Sequence, residues 1–309
     1  MAKVLIIKLG YSETLDKEIS TTTSLGDVLR TTVILHFFKG DDVSWLVDKK
    51  AAPLLEDNPY INRILVHSLE TTIQLQHERF DTVINLEKVP GICALADSVN
   101  AWRRFGFRFD EYKGGAQSYD GAEKVLSLSL DLDVKRSSKK YWQEALAQMI
   151  GRKWKGEEYI LGYKPKSKII HDVGFNWVVG DKWKDKTWPK DHWKKLAKLL
   201  KGKYSISWQE GLSNLGEYID WINSSISIVT NDSLGMHLAL ALKKKVIALF
   251  GPSSSGEVYL YNRGEILLPQ VNYNCIPCLQ RECFQKAHCM QFIKPESVAT
   301  EIEKILRHG

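Results

Sequence analysis

Short apolar runs alternate with amphipathic stretches along the whole chain. Residues 4–7, 43–47, 64–66, 82–86 and 104–107 are brief and rich in β-branched or aromatic side chains, which predicts strands. Helical periodicity intervenes from about Gly26 to Phe38, over 51–55 before the turn Asn58-Pro59, and over 141–150. This alternation predicts an α/β chain with a mostly parallel sheet covered on both faces. The stretch 114–140 is polar and reads as irregular. The pattern then restarts: a strand over 169–173, a helix opened by Trp188-Pro189 and running to about Leu200, a strand over 204–208, and an amphipathic helix over 295–307. Pro189 suits a first helical turn, where its missing N–H costs nothing. A length of 309 residues fits two domains of about 150 residues each. They are expected at 1–155 and 156–309, with 153–167 as the joint.

The clearest unit is 226–252, ISIVTNDSLGMHLALALKKKVIALFGP, a strand, a polar elbow, a helix and a second strand ending in Gly251-Pro252. Ligands of open α/β sheets bind at the carboxyl ends of strands, so the backbone N–H groups of Leu234, Gly235 and Met236 would present partial positive charge to a phosphate there. The plain alternative is that Asp232 and Ser233 only cap the helix. His237, one turn into that helix, adds a polar group at the same mouth that capping does not need.

Composition narrows the class without choosing a ligand. Hydrophobic residues at 44% and charged residues at 26% describe a globular chain. The net charge of +6 is concentrated around Lys182 to Lys195, which suits phosphorylated ligands, an anionic membrane surface or nucleic acid alike. The apolar run 4–7 stops at Lys8, far short of the roughly 20 residues that span a bilayer, so a cytoplasmic protein is expected, with peripheral membrane contact compatible.

Four of five cysteines crowd into NCIPCLQRECFQKAHC as Cys275, Cys278, Cys283 and Cys289. Four soft thiolates at this density suit a closed tetrahedral Zn or Fe site, with disulfide chemistry and free thiols as alternatives. The spacing differs from common iron–sulfur runs and approaches a zinc knuckle, which admits a non-enzymatic nucleic-acid-binding reading. His288 adjoins Cys289 and could replace a ligand. Cys93 stands apart and is expected in the core.

The 226–252 unit resembles the donor-binding motif of glycosyltransferase family 9, the ADP-heptose:lipopolysaccharide heptosyltransferases, in which Asp, a small hydroxyl residue, glycine and histidine open the helix. Here Leu234 stands where the family places glycine, and Gly235 follows. The resemblance implies a GT-B fold, two Rossmann-like domains facing a cleft, the first binding the acceptor and the second the nucleotide sugar. It implies that Asp232, Ser233, His237 and the amides of 234–236 hold the donor diphosphate. Lys186, in Lys-x-Trp-Pro at 186–189, would neutralise the departing diphosphate without a catalytic metal. Glu210 would bind the donor ribose, and Asn176 would line the phosphate pocket. In LGDVLRTT at 25–32 the resemblance makes Asp27 the general base, whose bland alternative is a helix-start carboxylate. Arg103, Arg104 and Lys113 fall where an anionic acceptor would be contacted. Four cysteines resemble the iron-binding autotransporter branch of the family, and the metal, Zn or Fe, is expected to be structural. The long connection 9–24 exceeds a usual βα loop of about 2–6 residues and reads as an acceptor-facing lid. The expected activity is inverting transfer of heptose from ADP-heptose to a lipopolysaccharide core. Rival readings are another nucleotide sugar or a protein acceptor within the family, and nucleic-acid binding, which these motifs do not favour.

Overall fold

The computed structural model of the protein describes residues 1–11, 21–210, 214–280 and 282–307. The lid expected over 9–24 falls mainly on residues 12–20, outside the described residues. Two compact units divide at Tyr163/Lys164, a little beyond the expected position 155. The reason is local packing: the Ile160 N–H donates to Thr32 Oγ1 at 2.9 Å and Asn58 Nδ2 donates to the Ile160 carbonyl at 3.1 Å, tying this strap to the first unit.

In the first unit β1 (Lys3–Ile7), β2 (Asp42–Val47), β3 (Arg63–Val66), β4 (Arg79–Asn85) and β5 (Asn100–Asp110) are parallel, and β6 (Gly115–Ser118) pairs antiparallel with β5. Their order is β3-β2-β1-β4-β5-β6. The helices are α1 (Leu25–Thr31), continued by the 3-10 segment Thr32–Phe38, α2 (Leu69–His77), α3 (Pro90–Ser98), α4 (Glu123–Leu130), α5 (Leu132–Ser137) and α6 (Trp142–Met149). The stretch expected to be irregular, 114–140, thus holds β6, α4 and α5. Its serines, lysines and aspartates masked the periodicity: α5 buries no residue at all and α4 buries only Val125.

In the second unit β7 (His171–Asn176), β8 (Ile206–Trp208), β9 (Ser225–Asn231), β10 (Lys245–Leu249) and β11 (Gly264–Leu267) form a parallel sheet in the order β11-β10-β9-β7-β8. The helices are α7 (Lys190–Leu200), α8 (Leu215–Asn223), α9 (Leu234–Ala241) and α10 (Pro295–Arg307). Val173, Phe175, Val229 and Leu249 pack with Trp188, Trp193, Val298 and Ile302 in one core. Phe175 and Trp188 both meet Trp193, with ring centroids 5.4 and 5.0 Å away. This aromatic block fixes the approach to α7 and so the position of Lys186.

The strand order of each sheet reverses once, between β1 and β4 in the first unit and between β7 and β9 in the second. Such switch points open a crevice at the carboxyl ends of the flanking strands. Both candidate sites stand there. Among the described residues no helix is long and apolar enough to cross a membrane.

Candidate active site

At the first switch point Lys8 follows β1, and Glu87 lies just beyond β4. Asp27, on α1, joins them. Lys8 Nζ pairs with Asp27 Oδ2 and also lies 3.3 Å from Glu87 Oε1, and Arg30 reaches Asp27 Oδ1 through Nε at 2.8 Å and Nη2 at 2.7 Å. Arg30 in turn stacks on Trp142, 4.5 Å from the ring centroid. Burial alone would raise the Asp27 pKa, but the charges of Lys8 and Arg30 and their hydrogen bonds override it and hold the carboxyl well below the usual range. Asp27 is therefore one member of a buried ion network at the start of α1. Glu87 Oε1 accepts the N–H groups of Leu9, Gly10 and Tyr11 at 2.7, 2.7 and 3.3 Å, anchoring the root of the β1–α1 connection. Beside it Lys88 is pushed down to about 8, first by burial and then by the Lys8 charge, and donates to Ser129 Oγ at 2.8 Å.

The basic residues expected to meet an acceptor separate. Arg104 donates to the carbonyls of Ala96, Ala101 and Val99, at 3.3, 3.1 and 2.5 Å, and so serves the C-terminal end of α3. Three of its five N–H donors are thus spent on backbone carbonyls, which weakens its expected acceptor role. Arg103 is exposed but pairs with Thr82 in mid-strand, away from the carboxyl ends, while Lys113 is exposed in the β5–β6 turn at that end. Cys93 is buried as expected, its thiol pushed up to about 12 by burial, and donates to the Glu87 carbonyl at 3.2 Å.

At the second switch point Lys186 Nζ lies 2.7 Å from Asp232 Oδ2. The sequence explains the meeting: the Trp188 N–H donates to Asn231 Oδ1 at 2.9 Å, docking the Lys-x-Trp-Pro segment on the residue before Asp232. Burial raises the Asp232 pKa, yet Lys186, then His237 and Ser253, bring it down to about 2. His237 is buried one turn into α9. A carboxylate whose folded pKa lies below its unfolded value of about 3.9 adds stability above that pH and loses it as pH falls through the folded value. Urea unfolding should therefore show Asp232→Asn to be about 2 kcal/mol less stable than wild type at pH 7, a difference that shrinks as pH falls from about 4 and is lost below about 2. A gap as large at pH 2 as at pH 7 would mean the carboxylate charge is not its source.

Ser233 occupies the N-cap position of α9 but makes no side-chain cap. Its hydroxyl instead accepts from Asn176 Nδ2 at 2.8 Å. Asn176 also donates to Thr230 Oγ1 at 2.7 Å and accepts from the Tyr218 hydroxyl at 2.5 Å. Asn176 is fully buried and its amide is fully engaged, so it latches β7, β9 and α8 together, correcting its expected place as a lining of the phosphate pocket. Gly235 is required by this latch, because a Cβ there would stand 2.3 Å from Asn176 Nδ2 and 2.5 Å from the Tyr218 hydroxyl. The Met236 N–H is committed to the Ser233 carbonyl at 3.1 Å, which corrects its place among the phosphate donors and leaves the amides of Leu234 and Gly235 for that role. Glu210 is exposed at the carboxyl end of β8 and bonds to none of these residues.

The cysteine loop lies against the segment that follows β10. Cys275, Cys278 and Cys283 are half-buried and Cys289 is buried. Burial and the neighbouring cysteine charges push Cys289 up to about 11 and raise Cys278 likewise. Among the described residues, however, no three His, Cys, Asp or Glu side chains are grouped to hold a metal ion. The donor set has the chemistry of a thiolate site; its side chains are not drawn together.

Sequence reasoning missed Lys8, Arg30, Glu87, Tyr218 and Ser253. Lys8 and Glu87 carried a readable signal, a charge placed directly after a buried apolar strand. The others did not.

Residues 211–288 match the family model described as glycosyltransferase family 9 (heptosyltransferase). Lipooligosaccharide heptosyltransferase 2 of Campylobacter jejuni is 37% identical over 25% of this chain and 25% of its own length. The chain thus matches about a quarter of that relative. Lipopolysaccharide heptosyltransferase 1 of Pseudomonas aeruginosa is 22% identical over 92% of this chain and 96% of its own. Among solved structures, a family 9 glycosyl transferase of Veillonella parvula superposes with TM-score 0.72 at 16% identity, covering 100% of this chain and 98% of that one. The iron-containing dodecameric glycosyltransferase TibC of enterotoxigenic E. coli superposes with TM-score 0.58 at 13% identity over 99% of this chain and 76% of that one, and has been solved with ADP-D-beta-D-heptose. The likenesses establish the GT-B fold and support a glycosyltransferase of the family 9 type.

Proposed function

We propose that the chain is an inverting glycosyltransferase of family 9 that moves heptose from ADP-heptose to a lipopolysaccharide core or related anionic acceptor. The observation that carries this reading is the Lys186–Asp232 pair at the uncapped start of α9, where a cation and the amides of Leu234 and Gly235 converge. A diphosphate placed there meets the helix dipole and the ammonium together. As the glycosidic bond breaks, negative charge grows on the departing ADP, and Lys186 and these amides stabilise it without a divalent ion. Asp232 holds Lys186 in place until the diphosphate arrives, and His237 stands beside it.

On the acceptor side Asp27 takes the proton of the attacking hydroxyl. A carboxyl held so far below its usual pKa is a weak base towards a free alcohol. The alcohol becomes strongly acidic only as its oxygen bonds to the anomeric carbon, so proton transfer late in that step is downhill even to a weak base. Lys8 and Arg30 keep Asp27 ionised and aimed. Lys113 at the β5–β6 turn and, more remotely, Arg103 supply positive charge for an anionic acceptor.

The four cysteines, Cys275, Cys278, Cys283 and Cys289, would hold a structural Zn or Fe ion, binding drawing the thiols together. Such an ion closes its coordination shell and offers no open position to substrate. The catalytic work stays with the side chains above.

ADP titrated calorimetrically should bind, and Asp232→Ala and His237→Ala should each weaken it. Wild-type affinity in both variants would remove the site. Replacing ADP-heptose by UDP-sugars in the same titration tests the choice of donor.

A further inference from the structure

Glu87 is fully buried, and the chain around it is arranged to hold it still. Its N–H donates to Asn85 Oδ1 at 3.0 Å, while Asn85 Nδ2 donates to the Glu87 carbonyl at 3.1 Å and to the Phe107 carbonyl of β5 at 2.7 Å. Asn85 is itself fully buried at the end of β4, and Gly106 of β5 lies so close that a Cβ there would stand 1.9 Å from the Asn85 carbonyl oxygen. Two adjacent strands therefore carry this carboxylate.

From that seat Glu87 reaches Asp27 by two routes. One is ionic: Lys8 Nζ, 3.3 Å from Glu87 Oε1, also pairs with Asp27 Oδ2, so the ammonium sits between two carboxylates. Burial alone would lower the Lys8 pKa, but the charges of Asp27 and Glu87 override it and hold it above its usual value. The other route runs along the main chain. Glu87 Oε1 accepts the Gly10 N–H, the Gly10 carbonyl accepts the Ser24 N–H at 2.8 Å, and the Ser24 carbonyl accepts the Val28 N–H at 3.3 Å, in the turn of α1 that carries Asp27. Gly10 has φ +93°, and a Cβ there would stand 2.8 Å from the Ser24 carbonyl oxygen, so only glycine permits this closure.

Three backbone N–H groups need no more than a neutral acceptor. Here a whole carboxylate is buried, and its Oε2 has no hydrogen-bond partner among the described residues, an arrangement costly to the fold unless the charge has a further use. We propose that Glu87 is a positioning residue for the general base: it keeps Lys8 charged and seated while Asp27 receives the acceptor proton. This rests on the reading of Asp27 given above. As the acceptor oxygen bonds to the anomeric carbon and the bond to ADP breaks, the hydroxyl proton passes to Asp27, whose carboxylate becomes a neutral acid. Lys8 and Arg30 then face one carboxylate in place of two. Without Glu87 they would face none, and protonating Asp27 would leave two neighbouring cations unopposed in a buried site. Glu87 thus makes Asp27 a better base than Lys8 and Arg30 alone would allow.

The test measures steady-state transfer, with donor and acceptor each varied, in Glu87→Gln, Asp27→Asn and the double variant, with circular dichroism reporting the fold. The amide keeps an oxygen for the backbone N–H groups and loses the charge. Glu87→Gln should lower kcat by roughly 10-fold or more with both KM values unchanged, within the range for coupled neighbouring groups. It should add little to Asp27→Asn, whose residual turnover no longer uses that base. Normal kcat in Glu87→Gln, or an equal further loss in the Asp27→Asn background, overturns the inference. Should Glu87→Gln not fold, Lys8→Met combined with Glu87→Gln removes both buried charges together, and near-wild-type kcat in that folded variant overturns it. Near-normal turnover in Asp27→Asn would mean that the base reading itself has failed, whereas a large loss there with normal kcat in Glu87→Gln defeats the positioning role alone.

Discussion

Replacing Asp27 by Asn is expected to lower turnover by about 10²–10⁴-fold, the contribution of general base catalysis. It should also cost stability. The sequence alone suggests a substitution without structural consequence, but Lys8 is 2% exposed and Asp27 4%, and breaking a buried ion pair by removing one partner costs about 3–5 kcal/mol. The loss should fall at the lower end, because Lys8 keeps Glu87 and Arg30 keeps its seat on Trp142. ADP affinity, which the proposed function assigns to the second unit, should not change. The measurements are single-turnover transfer, ADP calorimetry and urea unfolding of the same preparation. Near-normal turnover in a destabilised but folded variant would leave Asp27 as one member of an ion network and nothing more.

Lys186→Ala should lower turnover by about 10²–10³-fold, comparable to removing one preorganised donor at a developing oxyanion. Its signature is distinctive because the proposed function gives the lysine two duties, one towards the diphosphate and one towards Asp232. Without it the largest charge opposing burial at Asp232 is gone, so the Asp232 pKa should rise from about 2 towards or above the usual carboxylate range, and the acid stability difference described for Asp232→Asn should shrink. A carboxylate left without its cation also repels the incoming diphosphate, so ADP should weaken as well. Lys186→Arg keeps the charge and should recover part of both effects, short of full activity because a planar guanidinium does not reproduce the point charge of the ammonium. Turnover unchanged in Lys186→Ala would pass the leaving-group role to the α9 amides or to a residue not yet named.

Much of the fold and part of the candidate site are legible in the amino-acid sequence. The βαβ unit at 225–249 is read from its apolar runs because both strands are buried and the elbow between them is polar. Asp232 and Lys186 stand out as motif residues, and both lie at the switch point. Most differences at the site share one cause, that side-chain partners distant in sequence cannot be read from local pattern. Asn176 and Tyr218 are far apart along the chain, and only the packing of α8 on α9 turns them into a latch. Arg104 reads as one of an exposed basic pair until α3 sets its carbonyl groups against it. The stretch 114–140 defeats periodicity because its helices bury so little apolar surface that no stripe is needed.

What the sequence determined by itself is the alternation of buried strands and amphipathic helices, hence two mostly parallel sheets, together with the residue types that stand at their carboxyl ends. These follow from hydrophobic period and turn chemistry, which act over a few residues. The tertiary structure decided which charges meet: Lys8 with Asp27 and Glu87, and Lys186 with Asp232. An ionic contact depends on distances set by how strands are ordered in a sheet, and strand order is settled by the burial of whole faces against one another, which no local window contains.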